Sequence, residues 1–150
     1  RAYRLRLGFI GMGGRGSWLL GLALRRDDTE IKAVCDIVPE KAQRAADAVR
    51  EAARDEPRQF TAGEEDYLNL LERDDIDLII LDVQMPEMDG LEATRHILAQ
   101  RPSSRVVLIT GASLADEHSA DIETTNDDLL DRLRRGCDRL RFCRRCRLWS

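Results

Sequence analysis

The sequence predicts an α/β domain with a doubly wound parallel sheet in three layers, and three observations lead there. Short apolar runs alternate with segments of helical period from Leu5 to Ile109, the pattern that places parallel strands in one sheet and helices on its two faces. The first run ends in a glycine-rich turn and continues into a helix-like segment, the order of a strand-turn-helix unit. A length of 150 residues holds one domain with a sizeable core, but not two full domains.

Each element has a local reason. Residues 5 to 10 read as a buried parallel strand, and Ser17 to Arg26 as the helix after the glycine turn, with Leu19, Leu20, Ala23 and Leu24 inward. Ile31 to Cys35 is the second strand. Pro39 in a first turn starts an alanine-rich helix, running from about Ala42 to Arg54 with Ala45, Ala46 and Val49 inward and stopped by Pro57. Gln59 to Thr61 is a short third strand, Glu64 to Glu72 a helix carrying Tyr67, Leu68, Leu70 and Leu71, and Asp77 to Val83 a buried strand. Met85 to Gly90 is a loop. Leu91 to Gln100 is an amphipathic helix with Leu91, Thr94, Ile97 and Leu98 inward, and Arg105 to Ile109 a further strand. From Gly111 apolar residues thin out. Glu117 to Asp128 is polar without a usable period, and Leu129 to Leu140 has the pattern of a final helix. The chain therefore divides into a folded part, residues 1–113, and a polar segment with an arginine- and cysteine-rich tail, residues 114–150.

The glycine turn carries the first candidate chemistry. It reads Gly11-Met12-Gly13-Gly14-Arg15-Gly16, and an acid, Asp36, follows 20 residues after its last glycine at the end of the next strand. Gly11 permits the tight turn, Gly13 lets the backbone approach a pyrophosphate, and Gly16 lets the helix pack against its strand. N-H groups at the helix start face the phosphates. Asp36 is placed to accept hydrogen bonds from an adenosine ribose, and its charge would repel a 2'-phosphate, favouring NAD over NADP. Arg15 could touch a phosphate or face water. The same glycines would also serve a plain turn that binds nothing.

Composition narrows the class. Charged residues make up 35% and hydrophobic ones 43%, a globular balance, and the net charge of -4 offers no general attraction to nucleic acid or an anionic membrane. The apolar runs are strand-length and broken by charges such as Asp77 and Asp82, so no membrane span is expected. Three of the four cysteines lie in the last fourteen residues, which is no disulfide framework and points to a reducing cytoplasm. The sequence starts at Arg1 without a methionine, which leaves room for a trimmed upstream segment.

Two stretches resemble known families. "LGFIGMGGRG", "IKAVCDIVPEKAQRAA" and "EEDYLNLLERDDIDLIIL", within residues 5–81, resemble the NAD-binding half of the glucose-fructose oxidoreductase and inositol dehydrogenase family, including its NAD-dependent glycosidase branch. The resemblance implies a Rossmann-like sheet and a dinucleotide partner held by Gly11, Met12, Gly13, Gly14, Arg15, Gly16 and Asp36. That family follows its fourth strand with a Thr-Pro turn and a downstream histidine, then a Glu-Lys-Pro turn with a catalytic lysine, then a sugar-binding sheet domain. Here Asp82-Val83-Gln84-Met85-Pro86 stands at the Thr-Pro position and no lysine follows Lys41, so the expectation is a binding module without turnover.

From Asp77 to Thr110, "DLIILDVQMPEMDGLEATRHI" resembles a response-regulator receiver domain, whose sheet is flavodoxin-like. That resemblance implies Asp82 as phosphoacceptor, Mg²⁺ held by Asp36, Asp82 and the backbone carbonyl of Gln84, and Thr110 as the hydroxyl that rearranges on phosphorylation. Met85, Pro86 and Gly90 would shape the loop, and a histidine kinase or an output protein would be the partner. Carboxylates suit Mg²⁺, which offsets charge on the incoming phosphoryl group. Two departures weaken this site: Ile37 stands where a second acid is expected, and no lysine is available to pair with the phosphoryl group, with only Arg134 and Arg135 near that distance. The two resemblances together read as a recombined or designed chain joined near Ile80 or Leu81, and a third expectation is a chimera with neither activity.

Other candidates have plainer readings. Cys143 and Cys146, with Cys137, have the spacing of half a zinc site that would need His118 or a further residue as fourth ligand. His96 and His118 lie among polar neighbours without a nucleophile at a pairing distance. Trp18, directly after the glycine turn, is expected in helix packing rather than in a nucleotide stack.

Overall fold

A computed structural model describes residues 3–82, 84–85, 88–100, 106–109 and 146–148. The elements run β1 (Leu5–Ile10), α1 (Gly14–Leu24), β2 (Thr29–Cys35), α2 (Pro39–Glu51), β3 (Arg58–Phe60), α3 (Tyr67–Leu71) and β4 (Leu78–Asp82). Then come β5 (Gln84–Met85), β6 (Met88–Asp89), α4 (Gly90–Gln100), β7 (Val106–Ile109) and β8 (Cys146–Leu148). The main sheet has the order β3-β2-β1-β4-β7-β8. Its first five strands are parallel, so the doubly wound α/β expectation holds. β8, in the expected tail, adds an antiparallel edge, Val107 facing Leu148, and takes up the unpaired backbone groups that the edge of β7 presents.

Two apolar layers sandwich the sheet. Leu7, Phe9, Leu20, Val34, Leu78 and Ile80 pack with α1 and α2 on one face, and Ile10, Cys35, Leu70, Ile79, Leu81 and Ile97 with α3 and α4 on the other. Neighbours along β4 alternate between these clusters, as the two-residue period of a strand demands. The inward residues expected on α1 and α2 are buried, Leu24 partly. On α4 Ile97 is buried, while the side chains of Leu91, Thr94 and Leu98 lie outside the described set.

Boundaries differ where backbone geometry overrides residue propensity. α1 begins at Gly14, inside the glycine turn, three residues before the expected start. α2 ends at Glu51, well before Pro57, because Ala53 turns left-handed at φ 56°. The Ala53 N-H then donates to the Arg50 carbonyl and the Arg54 N-H to that of Val49, the paired bonds that close a helix end. The guanidinium of Arg54 reaches the carbonyls of Arg26 (2.6 Å) and Thr29 (2.9 Å), covering the end of α1. In Met85 to Gly90, expected as a loop, Met85 pairs with Met88 and Asp89 pairs with Gln84 just before the segment, forming the short antiparallel pair β5-β6. Residues 111–145, with the expected polar segment and final helix, lie outside the described residues.

Arg6 and Asp77 clip β1 to the start of β4. The guanidinium donates to both Asp77 oxygens, Nε to Oδ2 at 3.0 Å and Nη2 to Oδ1 at 2.7 Å, and the Arg6 N-H donates to Oδ2 at 2.9 Å. Burial pushes the Asp77 carboxyl up, but the bonds from Arg6 and Tyr3 outweigh it and hold the group at about 2 against an ordinary 3.8. A depressed carboxylate adds stability that is fully present above the unfolded value and is lost as pH falls from about 3.8 through about 2. Asp77→Asn should cost about 1 to 2 kcal/mol at pH 7, after a discount for the solvent exposure of Arg6, and should flatten the stability-pH curve between those values. Urea titrations of parent and variant at pH 2.5, 4 and 7 measure both effects.

Candidate functional site

The carboxyl end of β1 is the point where the strand order reverses. β1 pairs with β2 on one side, Ile10 beside Cys35, and with β4 on the other, Ile10 beside Leu81. Crossovers run to opposite faces from this point, which leaves a crevice above it. The glycine turn fills the mouth of that crevice. Gly11 has φ 88°, a conformation that favours glycine, and its N-H extends the β1-β2 ladder to the Cys35 carbonyl at 2.8 Å. A Cβ on Gly16 would collide with the Gly11 carbonyl oxygen, so only glycine lets α1 start this close to β1. At Gly13 and Gly14 an added Cβ would meet nothing within 4 Å. The backbone there borders open space.

α1 starts at Gly14 with Gly13 as its cap and without a side-chain capping bond. The first N-H groups of a helix have no partner inside it, and here they stand at the open side of the turn. Arg15 is exposed beside them. Trp18 does not pack as expected: it is 48% exposed, because it follows Arg15 by three residues on the solvent side of α1, while Leu19, Leu20 and Ala23 take the inner side.

Asp36 braces the turn. It is buried, and its Oδ2 accepts from the Met12 N-H and its Oδ1 from the Val38 N-H, each at 2.8 Å. Met12 is buried beneath the turn, and its carbonyl accepts from the Ser17 hydroxyl at 3.2 Å. Sequence reasoning identified the acid but not these bonds, which depend on β1 and β2 being neighbours. Beside Asp36, burial first, and then the charges of Asp66 and Asp36, push the Cys35 thiol up to about 12. That thiol stays protonated and unreactive at neutral pH.

Asp82 is also buried, at the carboxyl end of β4. β1 lies between β2 and β4, so Asp36 and Asp82 are about two strand spacings, roughly 10 Å, apart. Among the described residues no group of three or more His, Cys, Asp or Glu side chains is placed to hold a metal ion. Gln84 lies in β5; its side chain, and Thr110, fall outside the description, as do His118, Cys137, Cys143, Arg134 and Arg135. His96 is exposed, as expected, yet its Nδ1 lies 3.2 Å from the Tyr67 hydroxyl. That contact between α3 and α4 was not legible from residue spacing.

A groove of about 620 Å³ opens at the amino ends of the strands, lined by residues that include Arg4, Glu30, Lys32, Arg58 and Asp75. Its charges are of both signs and partly paired, Lys32 with Glu30 at 2.8 Å and Arg73 with Asp75 at 2.5 Å. It lies at the opposite end of the sheet from the glycine turn. No described helix is long and apolar enough to cross a membrane.

Strand order and glycine turn define a Rossmann-type α/β protein, with the parallel strands in the order β3-β2-β1-β4-β7, so that β1 lies between β2 and β4, unlike the flavodoxin-like order in which the third strand pairs with the first. Residues 40–132, more than half of the chain, match the response regulator receiver domain model, and the chain belongs to that family. The match starts at Glu40, just after Asp36 and Pro39. The chain is also similar to a glycosyl hydrolase family 109 protein of Saccharopolyspora erythraea, 47% identical over 73 residues, which are 49% of this chain and 16% of that protein. One from Shewanella pealeana is 32% identical over 108 residues, 69% of this chain and 24% of that protein. The chain thus spans no more than about a quarter of the length of these relatives.

Solved structures share the fold. GenD2 from gentamicin A biosynthesis, in complex with NAD, superposes with a TM-score of 0.55 at 14% identity, covering 73% of this chain and 27% of that one. Myo-inositol dehydrogenase from Lactobacillus casei, in complex with NAD(H) and myo-inositol, gives 0.50 at 24% identity, covering 71% and 28%. The chain thus carries two likenesses, one to glycosyl hydrolase family 109 proteins and one to a receiver.

Proposed function

We propose that this chain is an NAD-binding module of Rossmann type, holding the dinucleotide at Gly11, Met12, Gly13, Gly14, Arg15, Gly16 and Asp36. The observation that carries this reading is the open space at Gly13 and Gly14, beside the free N-H groups of α1. A pyrophosphate fits there because no side chain intrudes and the helix dipole favours negative charge. Asp36 spends one bond per oxygen on the backbone, and a carboxylate accepts about four, so capacity remains for a ribose hydroxyl. A 2'-phosphate would meet the same charge and be repelled. In calorimetric titrations NAD should bind and NADP should bind at least about tenfold more weakly, a difference of roughly 1.4 kcal/mol. Absence of NAD binding would overturn the assignment.

A second reading, a phosphoacceptor at Asp82 with Mg²⁺ and a histidine kinase as partner, is favoured by the receiver match across that residue. The geometry supports it less. The intervening β1 separates Asp82 from Asp36, and Ile37 is no metal ligand. Phosphoryl transfer relies on positioning and charge stabilisation. Acetyl phosphate with Mg²⁺ should therefore leave little or no acyl phosphate on Asp82. A mass increase of one phosphate that disappears in Asp82→Asn would place this reading above the first.

A further inference from the structure

We infer that Asp82 makes this site selective for the oxidised form of the dinucleotide, an inference that rests on the NAD-binding reading. Apart from Thr29, the buried polar or charged residues among those described are Asp36 and Asp82. They stand at the carboxyl ends of β2 and β4, the two strands that flank β1 and its glycine turn. A dinucleotide lies across the point where the strand order reverses. With its adenosine at Asp36 and its pyrophosphate on the turn above β1, the remaining half extends toward β4 and Asp82.

The side of the sheet is set as well. Leu78 and Ile80 pack in the cluster under α1 and α2, Ile79 and Leu81 in the opposite one. The two-residue period of the strand then carries Asp82 to the α1 face. α1 begins at the glycine turn, so this acid shares a face with the pyrophosphate cradle.

A carboxylate in this place acts differently on the two redox forms. The oxidised nicotinamide ring carries a positive charge and the reduced ring carries none, while ribose and pyrophosphate are the same in both. Any repulsion between Asp82 and the phosphates therefore weakens both forms equally and cancels in the ratio of their affinities. What survives in the ratio is the attraction between carboxylate and cationic ring, which is strengthened where solvent is excluded. At a separation of two or three side-chain diameters this favours the oxidised form by about five- to tenfold.

The test titrates the 150-residue chain with NAD⁺ and with NADH by calorimetry and takes the ratio of the dissociation constants, for the parent, Asp82→Asn and Asp36→Asn. The parent should prefer NAD⁺ by about five- to tenfold, Asp82→Asn should bring the ratio close to one, and Asp36→Asn should weaken both forms without moving the ratio. A ratio unchanged in Asp82→Asn, or a parent that prefers NADH, overturns the inference and leaves the binding reading standing. A parent that binds neither form overturns both. If Asp82→Asn loses its circular dichroism signature, Asp82→Ser supplies the same ratio with a smaller uncharged side chain.

Discussion

Gly16→Ala should destabilise the domain by about 3 kcal/mol or more and lower its melting temperature by roughly 10 °C or more. In an ordinary helix interior the exchange would help, since alanine is favoured over glycine by about 1 kcal/mol. Here the new Cβ would be driven into the Gly11 carbonyl oxygen and would lie 3.1 Å from the Gly11 carbonyl carbon. Both are backbone atoms of a turn whose N-H is tied to Cys35, so no flexible side chain can give way. Relief requires α1 to move off β1, which opens the layer where Leu19, Leu20 and Ala23 are buried. A loss of this size is a large share of the 5 to 15 kcal/mol that holds a typical domain together. Thermal and urea unfolding of the variant measure it. A melting temperature equal to that of the parent would show that the helix start can shift without penalty.

Gly13→Val should do the opposite: leave folding nearly unchanged and weaken NAD binding by more than about a hundredfold, roughly 2.7 kcal/mol. Gly13 has φ -74° and ψ -160°, extended backbone open to any residue, and its Cβ position is free of neighbours. A Cβ there meets no protein atom within 4 Å, and the valine side chain takes up the space that the proposed pyrophosphate needs. Circular dichroism and calorimetry on the same sample separate the two effects. Equal NAD affinity in variant and parent would exclude the turn as the binding site. The pair of variants is informative because two glycines three residues apart serve different ends, Gly16 a contact within the protein and Gly13 a space beside it.

Much of the fold was legible because its signals are local. The strand-length apolar runs, the proline that opens α2 and the helical period of Ala42, Ala45, Ala46 and Val49 each depend on neighbours a few residues away, and all correspond to observed elements. Element ends were less legible. The left-handed turn at Ala53 sits on a residue without turn preference, and the cover that Arg54 gives the end of α1 joins segments more than twenty residues apart. The Arg6-Asp77 clip, across β1 and β4, left no local trace for the same reason. Of the candidate site, the glycines and Asp36 could be named from spacing, whereas the bonds that lock Asp36 to Met12 and Val38 required the two strands to be side by side.

By itself the sequence determined the alternation of strands and helices, the glycine turn, and the presence in one chain of stretches resembling two families. It left open which sheet those stretches build, because Asp36 could serve as a ribose acceptor or as one acid of a metal corner. The tertiary structure decided between the sheets by putting β1 between β2 and β4. A parallel strand carries no label for its neighbours in its own residues, since both of its edges present the same backbone groups. β1 wins the central place through contacts made only in the folded chain: its ladder to β4 from Leu7 to Ile10, the bidentate grip of Arg6 on Asp77, and burial of Leu7 and Phe9 under α1 and of Ile10 under the other face.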